Sequence, residues 1–184
     1  MVAMPDNNDQ ALLSVEQMYA ADSAAIASNQ PDIAAGSAVA EQVIKRWPKR
    51  SVAVLCGPGN NGGDGLVAAR LLAAEGWPVR VALLDGKSAL TGDAAVNGKR
   101  WRGETVALDQ EVLDGDGLII DALFGAGLSR PLEGAARRVI ETINHLRLDC
   151  LAVDVPSGVD GDSGEVLGGD DGVAPKSVAT VTFF

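Results

Sequence analysis

Ser51-Val52-Ala53-Val54-Leu55-Cys56-Gly57-Pro58-Gly59-Asn60-Asn61-Gly62-Gly63-Asp64-Gly65-Leu66 passes from an unbroken apolar run, through a glycine-rich turn, into a helical pattern. The first six residues are nearly all apolar and rich in β-branched side chains, as in a strand buried on both faces, and glycine closes the run. From 66 to 75 the apolar residues recur at helical spacing. A fully apolar strand that turns directly into a helix belongs in a parallel sheet whose faces are covered by helices.

The same strand signal recurs downstream at 79–84, 117–120, 151–153 and 178–184, with helical patterns between at 92–102 and 135–146. Upstream, 12–28 places Leu12, Val15, Met18, Tyr19, Ala25 and Ile26 at helical spacing, and 31–47 repeats the pattern after Pro31, a residue suited to a first helical turn. Two opening helices followed by alternating strands and helices predict an α/β fold: a three-layer α/β/α, Rossmann-like domain with a doubly wound, mostly parallel sheet.

The 184 residues fit one domain spanning 1–184, a length at which a single core is well buried. With 47% apolar and 22% charged residues the composition is globular, and with 4% aromatic the core falls to alanine, valine and leucine. A formal charge of −10 repels nucleic-acid phosphates, so no nucleic-acid partner is expected. It does not exclude a small phosphorylated ligand, because helix N-termini hold phosphate locally. Cys56 and Cys150 each sit in an apolar run without disulfide-like spacing and read as reduced core residues. The first residues lack signal or transit patterns, and no run approaches the ~18 apolar residues that span a membrane. A cytoplasmic protein without membrane attachment is expected.

In open α/β sheets ligands bind beyond the carboxyl ends of the strands. Here those ends carry the glycine run, Asp85, Asp121 and Asp154. An aspartate after a strand also begins turns and caps helices, so no single one of them defines a site. Gly57, Gly59 and Gly62 form G-x-G-x-x-G between strand and helix, a phosphate cradle in that context, though glycine-rich turns are common. Asn60, Asn61 and Asp64 add side-chain oxygens that an ordinary dinucleotide loop does not need. The loop 154–174, rich in glycine and aspartate, is too long for a mere connection. Within it, Asp160-Gly161-Asp162-Ser163-Gly164-Glu165 lacks the full calcium-loop spacing and reads as a solvated turn. His145, the sole histidine, falls at a helix end, so nothing is placed to activate Ser157 as a nucleophile.

Three segments in order carry a resemblance. The glycine run 57–65, then Asp121-Ala122-Leu123-Phe124-Gly125-Ala126-Gly127-Leu128, then Asp154-Val155-Pro156-Ser157-Gly158 resemble the signatures of the family named for the N-terminal domain of the bacterial YjeF protein. Glu16-Gln17-Met18-Tyr19-Ala20-Ala21-Asp22 and Thr180-Val181-Thr182-Phe183 are similar too, so the resemblance covers nearly the whole chain. It implies a nicotinamide-cofactor repair enzyme, an isomerase that interconverts the R and S forms of hydrated NADH and NADPH (NADHX and NADPHX). It implies a potassium ion held by Asn61, Asp121 and Ser157. Substrate contacts fall on Asn60, Asn61, Gly62, Gly63 and Asp64, on Gly125, Ala126, Gly127, Leu128, Ser129, Arg130 and Pro131, and on Asp154. Ala126 departs from the threonine frequent in relatives, which puts one hydroxyl contact in doubt. A homodimer is implied, with an ADP- or ATP-dependent dehydratase as functional partner; in bacterial relatives that domain follows in the same chain, so this chain fits the first half of a bifunctional protein.

The residue chemistry agrees with the ion: one carboxylate with neutral oxygens suits a hard cation of low charge and suits zinc poorly. Asp154 is the expected acid–base residue and Asp121 the ion holder, with the exchanged assignment also open, so both are candidate catalytic residues. Two other readings compete. One is a non-catalytic binding or scaffold module, since relatives serve in messenger-RNA decapping or bind proteins; the joint presence of Asp64, Asp121 and Asp154 speaks against it. The other is a dehydrogenase using intact NAD, resting on G-x-G-x-x-G and Asp85, against which stand the Asn-Asn-Gly-Gly-Asp insert and the lack of a hydride-transfer histidine.

Overall fold

Val52–Cys56 forms strand β1 and is buried along its whole length, because it lies inside a six-stranded sheet with a neighbour on each side. The computed structural model describes residues 32–182 apart from 114 and 116, and the expected helix at 12–28 lies outside them. In chain order the elements are α1 (Asp32–Arg46), β1, α2 (Asn60–Ala74), β2 (Val79–Leu83), α3 (Gly92–Arg100), β3 (Thr105–Ala107), β4 (Leu118–Ala122), α4 (Gly134–Leu146), β5 (Cys150–Val153) and β6 (Ala179–Val181). Short 3-10 turns at Lys87–Ala89, Gln110–Leu113 and Gly169–Asp171 complete them.

The strand order is β3-β2-β1-β4-β5-β6, and every neighbouring pair is parallel. The chain winds outward from β1 through β2 to β3, then returns to β4 and winds the other way. This doubly wound order places the reversal between β1 and β4, where Leu55 pairs with Asp121 and Cys56 with Ala122. Alternate residues divide the core. Val52, Val54 and Cys56 pack with Val39 and Val43 of α1 and Leu66, Ala69 and Leu72 of α2. Ala53 and Leu55 pack on the other face with Val139, Ile140 and Ile143 of α4. The result is the expected three-layer α/β/α, Rossmann-like domain.

Two of the boundaries that differ from the sequence reading bear on the site. Helix α2 starts at Asn60, within the glycine run, not at Leu66. Glycine is a poor helix former, so propensity argues for a loop there, but close packing demands the glycines. A Cβ on Gly65 would lie 2.6 Å from Ala122 Cβ, one on Gly62 would strike the Gly57 carbonyl, and one on Gly63 would come within 3.2 Å of Ala94 N in α3. Strand β4 runs on to Ala122 and so draws Asp121 into the sheet. β3, three residues at the sheet edge and half exposed, has too little apolar pattern to be read in advance.

Candidate functional site

Gly57 leaves β1 and donates its N–H to Ala122 O of β4 at 3.0 Å, so the two strand exits are tied together. A Cβ at Gly57 would run into the Leu123 carbonyl, which is why this exit has no side chain. Thr91, ahead of α3, donates its N–H (3.0 Å) and its hydroxyl (3.3 Å) to Pro58 O and fixes the far side of the turn. Gly59 then caps α2 in extended conformation with no side-chain cap, and the first helical bond runs from Gly63 N to Gly59 O at 3.1 Å. The N–H groups of Asn60, Asn61 and Gly62 thus lie outside the i to i−4 ladder, and the helix has no acid in its first turn. Such an end attracts an anion. Asn61 is half-buried and its Nδ2 is buried without a partner, while Asp64 stands half-buried one turn further along.

Asp121 is fully buried, 0% exposed, near the end of β4. Its Oδ2 accepts the Ser157 N–H at 2.8 Å, and its Oδ1 accepts the Ser157 hydroxyl at 2.7 Å and the Leu123 N–H at 3.3 Å. Ser157 Oγ in turn accepts the Phe124 N–H at 3.0 Å, stitching the loop after β4 to the loop after β5. Burial pushes the Asp121 carboxyl above the usual carboxylate range, and the hydrogen bonds from Ser157 and Leu123 oppose that rise. All three donors are neutral, so an ionised Asp121 is a buried anion with acceptor capacity to spare.

Asp154 follows β5 with φ 68, in the left-handed region. Its N–H donates to Val181 O of β6 at 2.7 Å, and its carbonyl accepts the Thr182 hydroxyl at 2.9 Å. The carboxylate turns toward the loop after β4, where Oδ2 accepts the Ala126 N–H at 2.7 Å. Gly125 lies directly against it: a Cβ at this position would meet Asp154 Oδ2. Asp154 is half-buried, in contrast to Asp121.

The structure therefore brings Asp121, Ser157, Asp154, Gly125 and Ala126 into one bonded cluster at the exits of β4 and β5. The turn of residues 60–64 sits at the exit of neighbouring β1. Gly127, Ser129, Arg130 and Pro131 are exposed on the loop leading away, with Leu128 half-buried and its N–H on Gly125 O at 3.1 Å. Asp85 is exposed past the end of β2. His145 is exposed in the last turn of α4, and the calcium-like stretch is a turn in which Asp160 Oδ1 accepts from Asp162 N, Ser163 N and Ser163 Oγ. Cys56 and Cys150 are buried free thiols, pushed up in pKa by that burial. Among the described residues no three His, Cys, Asp or Glu side chains are grouped for a metal, and no helix is long and apolar enough to cross a membrane. A cleft of about 240 Å³ lined by Ser51, Pro78, Arg80 and Leu113 opens at the amino ends of the strands, the opposite edge from this cluster. Sequence reasoning missed Thr182 as a partner of Asp154. The residue falls inside a segment read as strand and as part of the family resemblance, neither of which points to a bond with Asp154.

Residues 33–184 match the family described as YjeF-related protein N-terminus. A bifunctional NAD(P)H-hydrate repair enzyme Nnr from Thermofilum pendens is 47% identical over 143 residues, covering 72% of this chain and 26% of that protein. An NAD(P)H-hydrate epimerase from Bordetella pertussis is 42% identical over 154 residues, 81% of this chain and 66% of that one. An NAD(P)H-hydrate epimerase from Rhodobacter capsulatus is 39% identical over 168 residues, 83% and 79%. The chain thus spans about a quarter of the bifunctional relative and just under two thirds of the Bordetella protein. The crystal structure of the yeast protein ynu0 (YNL200c) superposes with TM-score 0.74 at 23% identity, over 94% of this chain and 79% of that one, and shares the fold.

Proposed function

This chain belongs to the YjeF-related protein N-terminus family, and we propose that it interconverts the R and S forms of hydrated NADH and NADPH. The observation that carries the reading is the Asp154 carboxylate, held on the Ala126 N–H at the mouth of the β4 and β5 exits, beside a helix end suited to phosphate. Inversion at the ring carbon that bears the hydroxyl can run through loss and return of that hydroxyl. Asp154 as an acid gives a proton to the departing oxygen, which leaves as water. The carboxylate formed then takes back a proton from a water that adds to the opposite face of the planar, iminium-like carbon, which is what inverts it. Ring opening and closing needs the same proton transfers, and help of this kind is worth ~10²–10⁴ in rate. The N–H groups of Asn60, Asn61 and Gly62 orient a phosphate of the substrate, with Asn60, Asp64 and residues 125–131 around it.

The residues present fit a potassium ion. Asp121 is a buried carboxylate with only neutral donors and acceptor capacity to spare, and Asn61 and Ser157 each carry a neutral side-chain oxygen. Asn61, Asp121 and Ser157 would hold the ion, which when bound would balance the Asp121 charge. Potassium chloride should then raise the Tm of the wild-type protein above its value in choline chloride, and Asp121→Asn should lose that difference. The homodimer implied by the family resemblance belongs to this reading and is checked by sedimentation. The dehydratase partner is supported by the bifunctional relative.

The deciding experiment is chromatographic conversion of purified R-NADHX to the S form, with and without potassium. Asp154→Asn is expected to lower kcat by ~10² or more. An Asp154→Asn protein with full kcat would sink the assignment.

A further inference from the structure

We propose that Thr182 is a positioning residue for Asp154, holding the left-handed backbone that aims the carboxylate at the Ala126 N–H. Two non-glycine residues among those described have positive φ, Arg147 and Asp154. Arg147 caps the end of α4, where a left-handed residue satisfies the last carbonyls of a helix. Asp154 ends a strand, has no such excuse, and carries the strain of a Cβ crowded by its own backbone. Strain of that kind persists where neighbours over-determine the conformation, and here both backbone polar groups of Asp154 are bound to one short segment. Its N–H is on Val181 O at 2.7 Å and its carbonyl accepts the Thr182 hydroxyl at 2.9 Å.

The Val181 bond continues the sheet ladder and survives any substitution of the side chain at 181. The Thr182 bond is made by a side chain, and Thr182 is exposed at the carboxyl end of β6. An exposed hydroxyl gains little from burial, so its bond to the Asp154 carbonyl is what gives it a task. Releasing that carbonyl frees rotation about the Asp154 N–Cα bond, which moves the carbonyl and the side chain together away from φ 68. The carboxylate then leaves the Ala126 amide, 2.7 Å away, for solvent.

This inference rests on the reading of Asp154 as the acid–base group, and its test separates the two. Thr182→Val keeps the shape and removes the hydroxyl, and Thr182→Ser restores it. Amide hydrogen exchange of Ala126 reads the carboxylate contact without any reference to activity. Thr182→Val should speed that exchange about tenfold and lower kcat for R-to-S conversion about tenfold, within the ~10² that a 1 Å misplacement costs. KM should stay within about twofold, because the group acts on the reacting centre and not on remote binding. Thr182→Ser should restore both measurements. Unchanged Ala126 exchange in Thr182→Val, or an equal loss in Thr182→Ser, overturns the positioning role. If the wild type converts no R-NADHX, the functional reading fails by itself while the Ala126 measurement still decides the role of Thr182.

Discussion

Asp121 and Asp154 come from neighbouring strands, and their surroundings differ. Asp121 is sealed in, with both oxygens engaged by Ser157 and Leu123. Asp154 is half-buried, and Gly125 at its side leaves the space in which it turns. Gly125→Ala should therefore displace the Asp154 carboxylate while leaving Asp121 untouched, lowering kcat by up to ~10² in the R-to-S conversion assay. A Gly125→Ala protein with wild-type kcat would mean that the Asp154 oxygen against Gly125 is not needed for catalysis. The types and order of these residues were legible in the sequence. Their different settings were only half legible, because these depend on β4 continuing two residues past Ile120 and on the backbone of Asp154 turning left-handed. A run of letters shows neither a strand's last rung nor a φ angle. The bond from Thr182 to Asp154 went unread for the same reason: its acceptor is a carbonyl, and carbonyls are the same at every position.

At the scale of elements, the clearest clamp lies far from the site. Arg50, just before β1, pairs with Asp149, just before β5, and Trp47 after α1 donates its indole N–H to the same Asp149 oxygen at 3.1 Å. The Arg50 guanidinium also lies 5.9 Å from the Trp47 ring centroid. The hydrogen bond from Arg50 holds the Asp149 carboxyl below the usual carboxylate range. A depressed carboxyl stabilises the fold above its unfolded pKa of ~3.9 and loses that contribution as pH falls through the lower folded value. Asp149→Asn should thus cost at most about 1 kcal/mol at pH 7, the pair being partly exposed. The gap from wild type should narrow in urea titrations as pH falls from 7 to below the unfolded value of ~3.9. A gap that stays constant across this range would assign the cost to packing. Helix α2 shows where local propensity loses to packing. Its first turn is mostly asparagine and glycine, and the sequence reading placed it in a loop. The glycines are helical because α2 must lie close to β4 and α3, a requirement visible only once those elements are in place.

For the molecule as a whole, the alternation of apolar runs and helical patterns was enough to give the sheet, its parallel sense and its two covered faces. The edge strand β3 escaped because an edge needs little apolar character. The interior makes the complementary demand. Ile120 of β4 is 0% exposed between β1 and β5, and Ile120→Ala should cost about 2–5 kcal/mol in chemical denaturation. Val178→Ala, at 57% exposure, should stay within about 0.5 kcal/mol. Equal costs at the two positions would contradict the placement of the core.

The tie between Asp154 and β6 has a consequence for how the protein comes into being. Chains are made from the amino end, and β1 must wait for β4 before its second edge is paired. The partners of Asp154, Val181 and Thr182, emerge later still. A nascent chain halted before this point already contains the glycine turn, Asp121 and Asp154 itself, yet the carboxylate is not aimed. Under the proposed reading, activity in a growing chain would report that β6 has joined the sheet.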